Sequence, residues 1–221
     1  MHGIGEIVEY ARASGLLGLV RAGFRQLVFD RQRLILTCRS LEEPIPELPL
    51  PEGLELRRAT PEDVGQLHRL LSTHGFWRST ATLRSQIEEP NVPLLTTHGG
   101  DIVGFTCATA DMPGGNAALR RAVRLGRDEA WGAGVFVVPE HRGRGIAPAL
   151  LTAAMARCRA AGYRRFCSFV LAHNVAARAA NSKVGYREVS EMILWRVLLL
   201  SGVRVTRLTE DGRGRPDPQP R

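Results

Sequence analysis

Residues 142–147 of the 221-residue chain read Arg-Gly-Arg-Gly-Ile-Ala, and the chemistry open to such a run is anion binding by the backbone. Ahead of it, Val135, Phe136, Val137 and Val138 form an apolar run with the character of a strand. After it, Leu150, Ala154, Cys158 and Ala161 recur at helical spacing. Pro148 has no N–H and is tolerated only in a first helical turn, so the helix must begin near Arg144 or Gly145. The amides of Gly143, Arg144, Gly145 and Ile146 then sit at a positively polarised helix end. Gly143 and Gly145 let a phosphate approach with no Cβ in the way. The run is not G-x-x-x-x-G-K-[ST], which excludes a triphosphatase loop. It also lacks the first glycine of G-x-G-x-x-G, which argues against a dinucleotide fold.

The rest of the chain supplies elements to hold this turn. Residues 54–58 read as a strand. Thr60-Pro61-Glu62-Asp63 opens a helix that runs to about Ser72, and a second helix over 80–89 ends at Pro90. Residues 94–97 and 102–108, joined through His98-Gly99-Gly100-Asp101, predict a β-hairpin. An insertion over 111–128 carries a short basic helical run at 117–125. A strand at 130–138, a helix at 145–161, a strand at 165–171, a helix at 175–184 and one long strand at 187–200 complete the α/β pattern. Upstream, residues 7–29 have helical spacing and 33–38 alternate toward a strand, and the prolines of residues 44–53 predict an extended linker. The organisation expected is an extension over 1–43, the linker over 44–53, one domain over 54–200, and a tail over 201–221 that is partly disordered.

Composition narrows the partners. Thirty basic against twenty-two acidic residues give a formal charge of +8, which suits an anionic ligand. The arginines are spread along the chain and aromatics are sparse, so nucleic acid is not expected. Lys183 is the sole lysine, a bias read as the imprint of a GC-rich genome. The first fifty residues carry six arginines against six acids, and Glu6 and Glu9 stand where a signal peptide wants positive charge. No membrane insertion is expected, and the expected location is the cytoplasm. Cys38, Cys107, Cys158 and Cys167 make no C-x-x-C pair and are expected as buried free thiols in a reducing compartment, with no metal site.

With these elements in place, residues 135–151 resemble motif A of the GNAT superfamily of N-acetyltransferases, whose [QR]-x-x-G-x-[GA] is matched by Arg142, Gly145 and Ala147. A second family element, N-x-x-A followed by K-x-G-[FY], is matched by Asn174, Ala177, Lys183, Gly185 and Tyr186. The resemblance spans about residues 54–200 and implies the acyl-CoA N-acyltransferase fold: a mixed central sheet splayed between its fourth and fifth strands, with the N-terminal helix and strand as an addition.

It also implies acetyl-CoA as co-substrate, held in that gap. Backbone groups of Val135, Phe136 and Val137 would face the pantetheine, with the Val135 N–H on the thioester carbonyl. The diphosphate would rest on Arg142, Gly143, Arg144, Gly145, Ile146 and Ala147, with Asn174 beside the cofactor. The acceptor would be a primary amine of a small molecule, with an amino sugar among the candidates. Alternatives are a peptide or protein N-terminus, and a CoA-binding sensor without turnover. A homodimer stays open. Relatives often carry a glutamate base at the position held here by Trp131, so Glu129, two residues earlier, is the first candidate base and His173 the second. A tyrosine that protonates the leaving thiolate in many relatives is replaced here by Asn181, and Tyr186 is expected to pack in the core.

Overall fold

A computed structural model describes residues 30–76, 78–110, 117–123, 125–197, 200–208 and 214–216. The expected helix at 7–29, residues 111–116 and 124 of the insertion, and Trp77 lie outside the described residues. Among the described residues nine strands form one mixed sheet: β1 (Asp30–Ser40), β2 (Leu54–Arg58), β3 (Val92–His98), β4 (Asp101–Thr109), β5 (Glu129–Val137), β6 (Arg165–Leu171), β7 (Arg187–Val197), β8 (Leu200–Leu208) and β9 (Gly214–Pro216). Their order across the sheet is β2-β3-β4-β5-β6-β1-β7-β8-β9. β5 and β6 pair in parallel, and the other neighbours are antiparallel.

Among the described residues five helices accompany the sheet: α1 (Val64–Thr73), α2 (Thr80–Ile87), α3 (Ala117–Ala122), α4 (Ile146–Ala160) and α5 (Val175–Lys183). Each long one starts where local chemistry allows. Ahead of α1, Thr60 and Asp63 close a capping box around a single 3-10 turn that contains Pro61. The Asp63 carboxylate also takes two hydrogen bonds of 2.7 Å from Arg57, which fixes β2 to the helix start. The Ser79 hydroxyl accepts from the Thr82 amide and caps α2.

Strand alternation sorts the apolar residues onto two faces. On one, Val64, Leu67 and Leu71 of α1 and Leu83 and Ile87 of α2 bury Leu95, Phe105, Cys107 and Phe136. On the other, Ile146, Leu150 and Ala154 of α4 cover Leu94, Ala108, Val137 and Phe166. Leu150 is fully buried, and truncating such a leucine to alanine typically costs about 2–5 kcal/mol.

Three expectations about the edges are corrected. The strand expected within an appendage, β1, is an interior strand between β6 and β7, with Leu34–Ser40 paired to β6 and Asp30–Cys38 to β7. The strand expected over 187–200 ends at Val197 and turns back, with Val197 opposite Leu200, so Leu200 and residues 201–208 of the expected tail form β8, and β9 pairs beyond it. Cys38 and Cys167 stand directly opposite each other on β1 and β6 and form a disulfide, so only Cys107 and Cys158 are free. Four free thiols were expected because strand pairing between residues 129 positions apart leaves no local trace in the sequence.

Candidate active site

The pairing of β5 with β6 begins at Glu129↔Arg165 and its last pair is Gly132↔Ser168, although β5 continues to Val137 and β6 to Leu171. On its other edge β5 stays paired with β4 through Val135↔Thr106, Phe136↔Phe105 and Val137↔Gly104. The Val138 amide donates to the Val103 carbonyl on that edge. By strand alternation the amides of Val135 and Val137 therefore face the opposite way, along the edge that β6 has left. A bulge accompanies the change: Ala133 and Gly134 together face the single residue Cys107, and Gly134 takes φ +104°, a backbone region open to glycine.

β5 leads through a 3-10 turn at Pro139–His141 into the expected turn. Gly145, at φ +84°, is the N-cap of α4, as the position of Pro148 requires, and no side chain caps this end. Gly143 takes φ +77°. Nothing lies within 4 Å of a Cβ position on either glycine, and residues 142–145 are exposed. The first turn of α4 thus presents amides to open space, with the geometry that an oxyanion or diphosphate needs. Ile146 is buried and anchors the turn, and Ala147 is half-buried. Arg142 folds back, its Nε donating 3.0 Å to the Val137 carbonyl, while Arg144 stays exposed with one nitrogen 3.3 Å from His141 Nδ1. One element thus joins the free strand edge to the open helix end.

The other expected residues fall in three places. Asn174 caps α5, its side-chain oxygen accepting from the Ala177 amide at 3.0 Å. Asn181, two turns on, donates from Nδ2 to the Thr37 hydroxyl at 3.3 Å, and that hydroxyl donates to the Ser168 carbonyl at 3.2 Å. Thr37 belongs to β1 and is buried, and Ser168 is the last β6 residue paired with β5. His173 is exposed just past β6, at the rim of a 680 Å³ cavity lined also by Arg31, Arg33, Glu188 and Glu191.

Glu129 is not brought to the gap. It opens the paired end of β5, six residues or about 20 Å of strand from Val135. There it pairs with Arg165 at 2.6 Å and accepts from the Gly126 amide at 2.9 Å. Trp131 is buried and stacks edge-on against Phe169. The Tyr186 hydroxyl is buried without a partner, and burial pushes its pKa up. It is a core residue packed on Phe166.

Arg78 reaches partners on two other elements. It follows α1 in a loop, yet its Nη2 donates 2.7 Å to the Ala133 carbonyl at the bulge and its Nη1 donates 2.9 Å to Oε1 of the buried Gln86. Burial pulls its pKa below the ordinary value. Beside it on the same face, the exposed Phe76 packs edge-on against Phe136 at 5.3 Å.

Among the described residues no group of three or more His, Cys, Asp or Glu is placed to hold a metal, and no helix is long and apolar enough to cross a membrane. No curated protein is significantly similar to the chain. Several solved structures share its fold. A GCN5-related N-acetyltransferase from Sphaerobacter thermophilus is 22% identical with a TM-score of 0.60, covering 83% of this chain and 57% of its own. A Drosophila protein is 17% identical with a TM-score of 0.59, covering 82% and 55%. A GNAT-family acetyltransferase from Colwellia psychrerythraea is 15% identical with a TM-score of 0.55, covering 83% and 62%. The chain thus spans less than two thirds of the length of each of these proteins. Residues 56–186, more than half of the chain and the whole of the β5–turn–α4 unit, match the Acetyltransferase (GNAT) family, and the chain is a member of that family.

Proposed function

We propose that the chain is an N-acetyltransferase that moves acetyl from acetyl-CoA to the primary amine of a small molecule by direct attack in a ternary complex. The observation that carries this reading is the continuity of two backbone features. The β5 edge that β6 leaves free at Val135 and Val137 runs directly into the open helix end at Gly143–Ala147. A linear ligand with amide groups at one end and a diphosphate at the other fits both, adding itself to β5 as a strand would and resting its phosphates on the α4 amides. Acetyl-CoA supplies that pattern and carries an activated acyl group.

The Val135 N–H would polarise the thioester carbonyl and hold the oxyanion formed when the amine attacks. Collapse of that intermediate breaks the C–S bond and releases CoA thiolate, which solvent can protonate because a thiol pKa lies near about 8.5. Asn181 cannot give up a proton. Held by Thr37, it can only hydrogen-bond in that region. An attacking primary amine must first lose its ammonium proton, and after attack the nitrogen loses a second proton as the amide forms, which balances the one that the thiolate takes up. With Glu129 engaged by Arg165 at the far end of β5, His173, past the end of β6, is the base we assign.

The acceptor screen is the test: acetyl-CoA is incubated with amines of several classes, with free thiol followed against time and products read by mass. Thiol release matched by gain of one acetyl group is expected. Acetyl-CoA binding with no transfer to small amines, peptides or proteins would favour a sensor instead.

A further inference from the structure

We infer that the acceptor amine carries a carboxylate and that Arg78 binds it. This rests on the acyl-transfer reading above and narrows the substrate class.

Arg78 is a charged group held where charge is costly. A guanidinium has five N–H groups, and two of them are used, on Gln86 Oε1 and the Ala133 carbonyl. Both partners are neutral, and no carboxylate among the described residues pairs with Arg78. The thiol of Cys107 is the group whose negative charge would favour that of Arg78. Burial pushes that thiol up to about 12, so it stays protonated at neutral pH. Arg78 is half-buried, and a partly desolvated cation without a counter-charge costs the free protein stability that an incoming anion would restore.

The position is as specific as the charge. Ala133 precedes Val135 by two residues, so the guanidinium is bonded to β5 about 7 Å of strand from the amide assigned to the thioester carbonyl. Gly134 lies between them, and a Cβ there would come within 3.6 Å of Nη2. An amine attacking at Val135 with a carboxylate a few bonds away would span the two groups. The guanidinium is pre-set for it: Gln86, which orients Nη1, is buried, and the Arg78 carbonyl lies 2.9 Å from His68 Nδ1. A single guanidinium balances one negative charge and offers the paired N–H geometry that a carboxylate accepts. A neutral amino sugar would leave the charge uncompensated.

The test compares acceptors that differ only in the carboxylate, an amino acid against its primary amide, with glucosamine as a neutral amino sugar. Steady-state kinetics are run on the wild type, Arg78→Gln and Arg78→Lys, with the acetyl-CoA Kd of each by calorimetry. In the wild type, kcat/KM should favour the carboxylate member by about tenfold or more. Arg78→Gln should erase that preference, mainly through KM, with the acetyl-CoA Kd within about twofold of wild type, and Arg78→Lys should keep part of it. A guanidinium that only braces the bulge would leave the ratio between the paired acceptors unchanged in Arg78→Gln, and that result overturns the inference. A wild-type preference for the amide or for glucosamine overturns it as well, and does so even where Arg78→Gln fails to fold. In both cases the transfer reading survives. Acetyl-CoA binding with no transfer to any amine removes the transfer reading and the inference together.

Discussion

The side chain of Asn181 donates to the hydroxyl of Thr37 across 3.3 Å, joining the last helix of the family's own motifs to a strand from the N-terminal segment. Because Thr37 also donates to the Ser168 carbonyl, one buried hydroxyl serves both a helix and the point where β6 last pairs with β5. Thr37→Val keeps the shape and removes the hydroxyl, stranding two partners, and should lower unfolding free energy by about 1–3 kcal/mol in denaturant titration. Asn181→Ala should keep kcat within about tenfold of wild type, since an amide supplies no proton to the leaving group. A thousandfold loss in Asn181→Ala would mean the amide contacts the reacting atoms.

Glu129 is bound to Arg165 rather than to the gap. Glu129→Gln should therefore leave kcat/KM within about threefold of wild type and change stability by no more than about 1 kcal/mol, as for partly exposed ion pairs. A hundredfold loss of kcat in a folded variant would return it to the role of base.

The disulfide between Cys38 and Cys167 ties β1 to β6 across 129 positions. Alkylation of the denatured protein without reductant should modify two cysteines, Cys107 and Cys158, and after reduction four. Removing the bond should cost about 2–4 kcal/mol in equilibrium unfolding. Four reactive thiols in unreduced protein would contradict the bond.

Asp63 gives the fold an acid-sensitive joint. The hydrogen bonds from Arg57 hold its carboxyl below the ordinary range despite partial burial, so the folded state binds its proton less readily than the unfolded chain. Its contribution is therefore present above about pH 4 and is lost as pH falls through the depressed folded value. Asp63→Asn should cost about 1 kcal/mol at pH 7, and the gap between variant and wild type should close in acid. An equal gap at pH 3 and pH 7 would show that the carboxylate charge is not the source.

The parts legible in the sequence were those set by local rules. Pro148 fixed the start of α4, Thr60 marked the entry to the helix after β2, Pro90 bounded the next one, and the paired glycines at residues 99–100 marked the hairpin. What could not be read were relationships made across the sheet. Nothing in residues 30–40 states that they pair between β6 and β7. Leu198-Leu199 carries no turn residue, so the β7–β8 hairpin looked like one strand. Spacing relates Glu129 to Trp131, and nothing in the sequence shows that both lie on the stretch of β5 paired with β6, ahead of the bulge at Ala133–Gly134. The loop that carries Arg78 gives no local sign of the guanidinium's partners, since Gln86 lies on the next helix and Ala133 on a strand 55 residues away.

If the free edge of β5 and the open end of α4 form one acetyl-CoA site, as proposed, calorimetry on Gly145→Asp will show it. Gly145 is exposed with open space around its Cβ position, so the substitution puts a carboxylate where a diphosphate would rest. The strain of an L side chain at its φ of +84° is about 1–2 kcal/mol. Circular dichroism should show the folded protein in both forms. The wild type should bind acetyl-CoA with an affinity that weakens as salt rises, and the variant should bind at least about a hundredfold more weakly. Equal affinity in the two folded proteins would contradict the account.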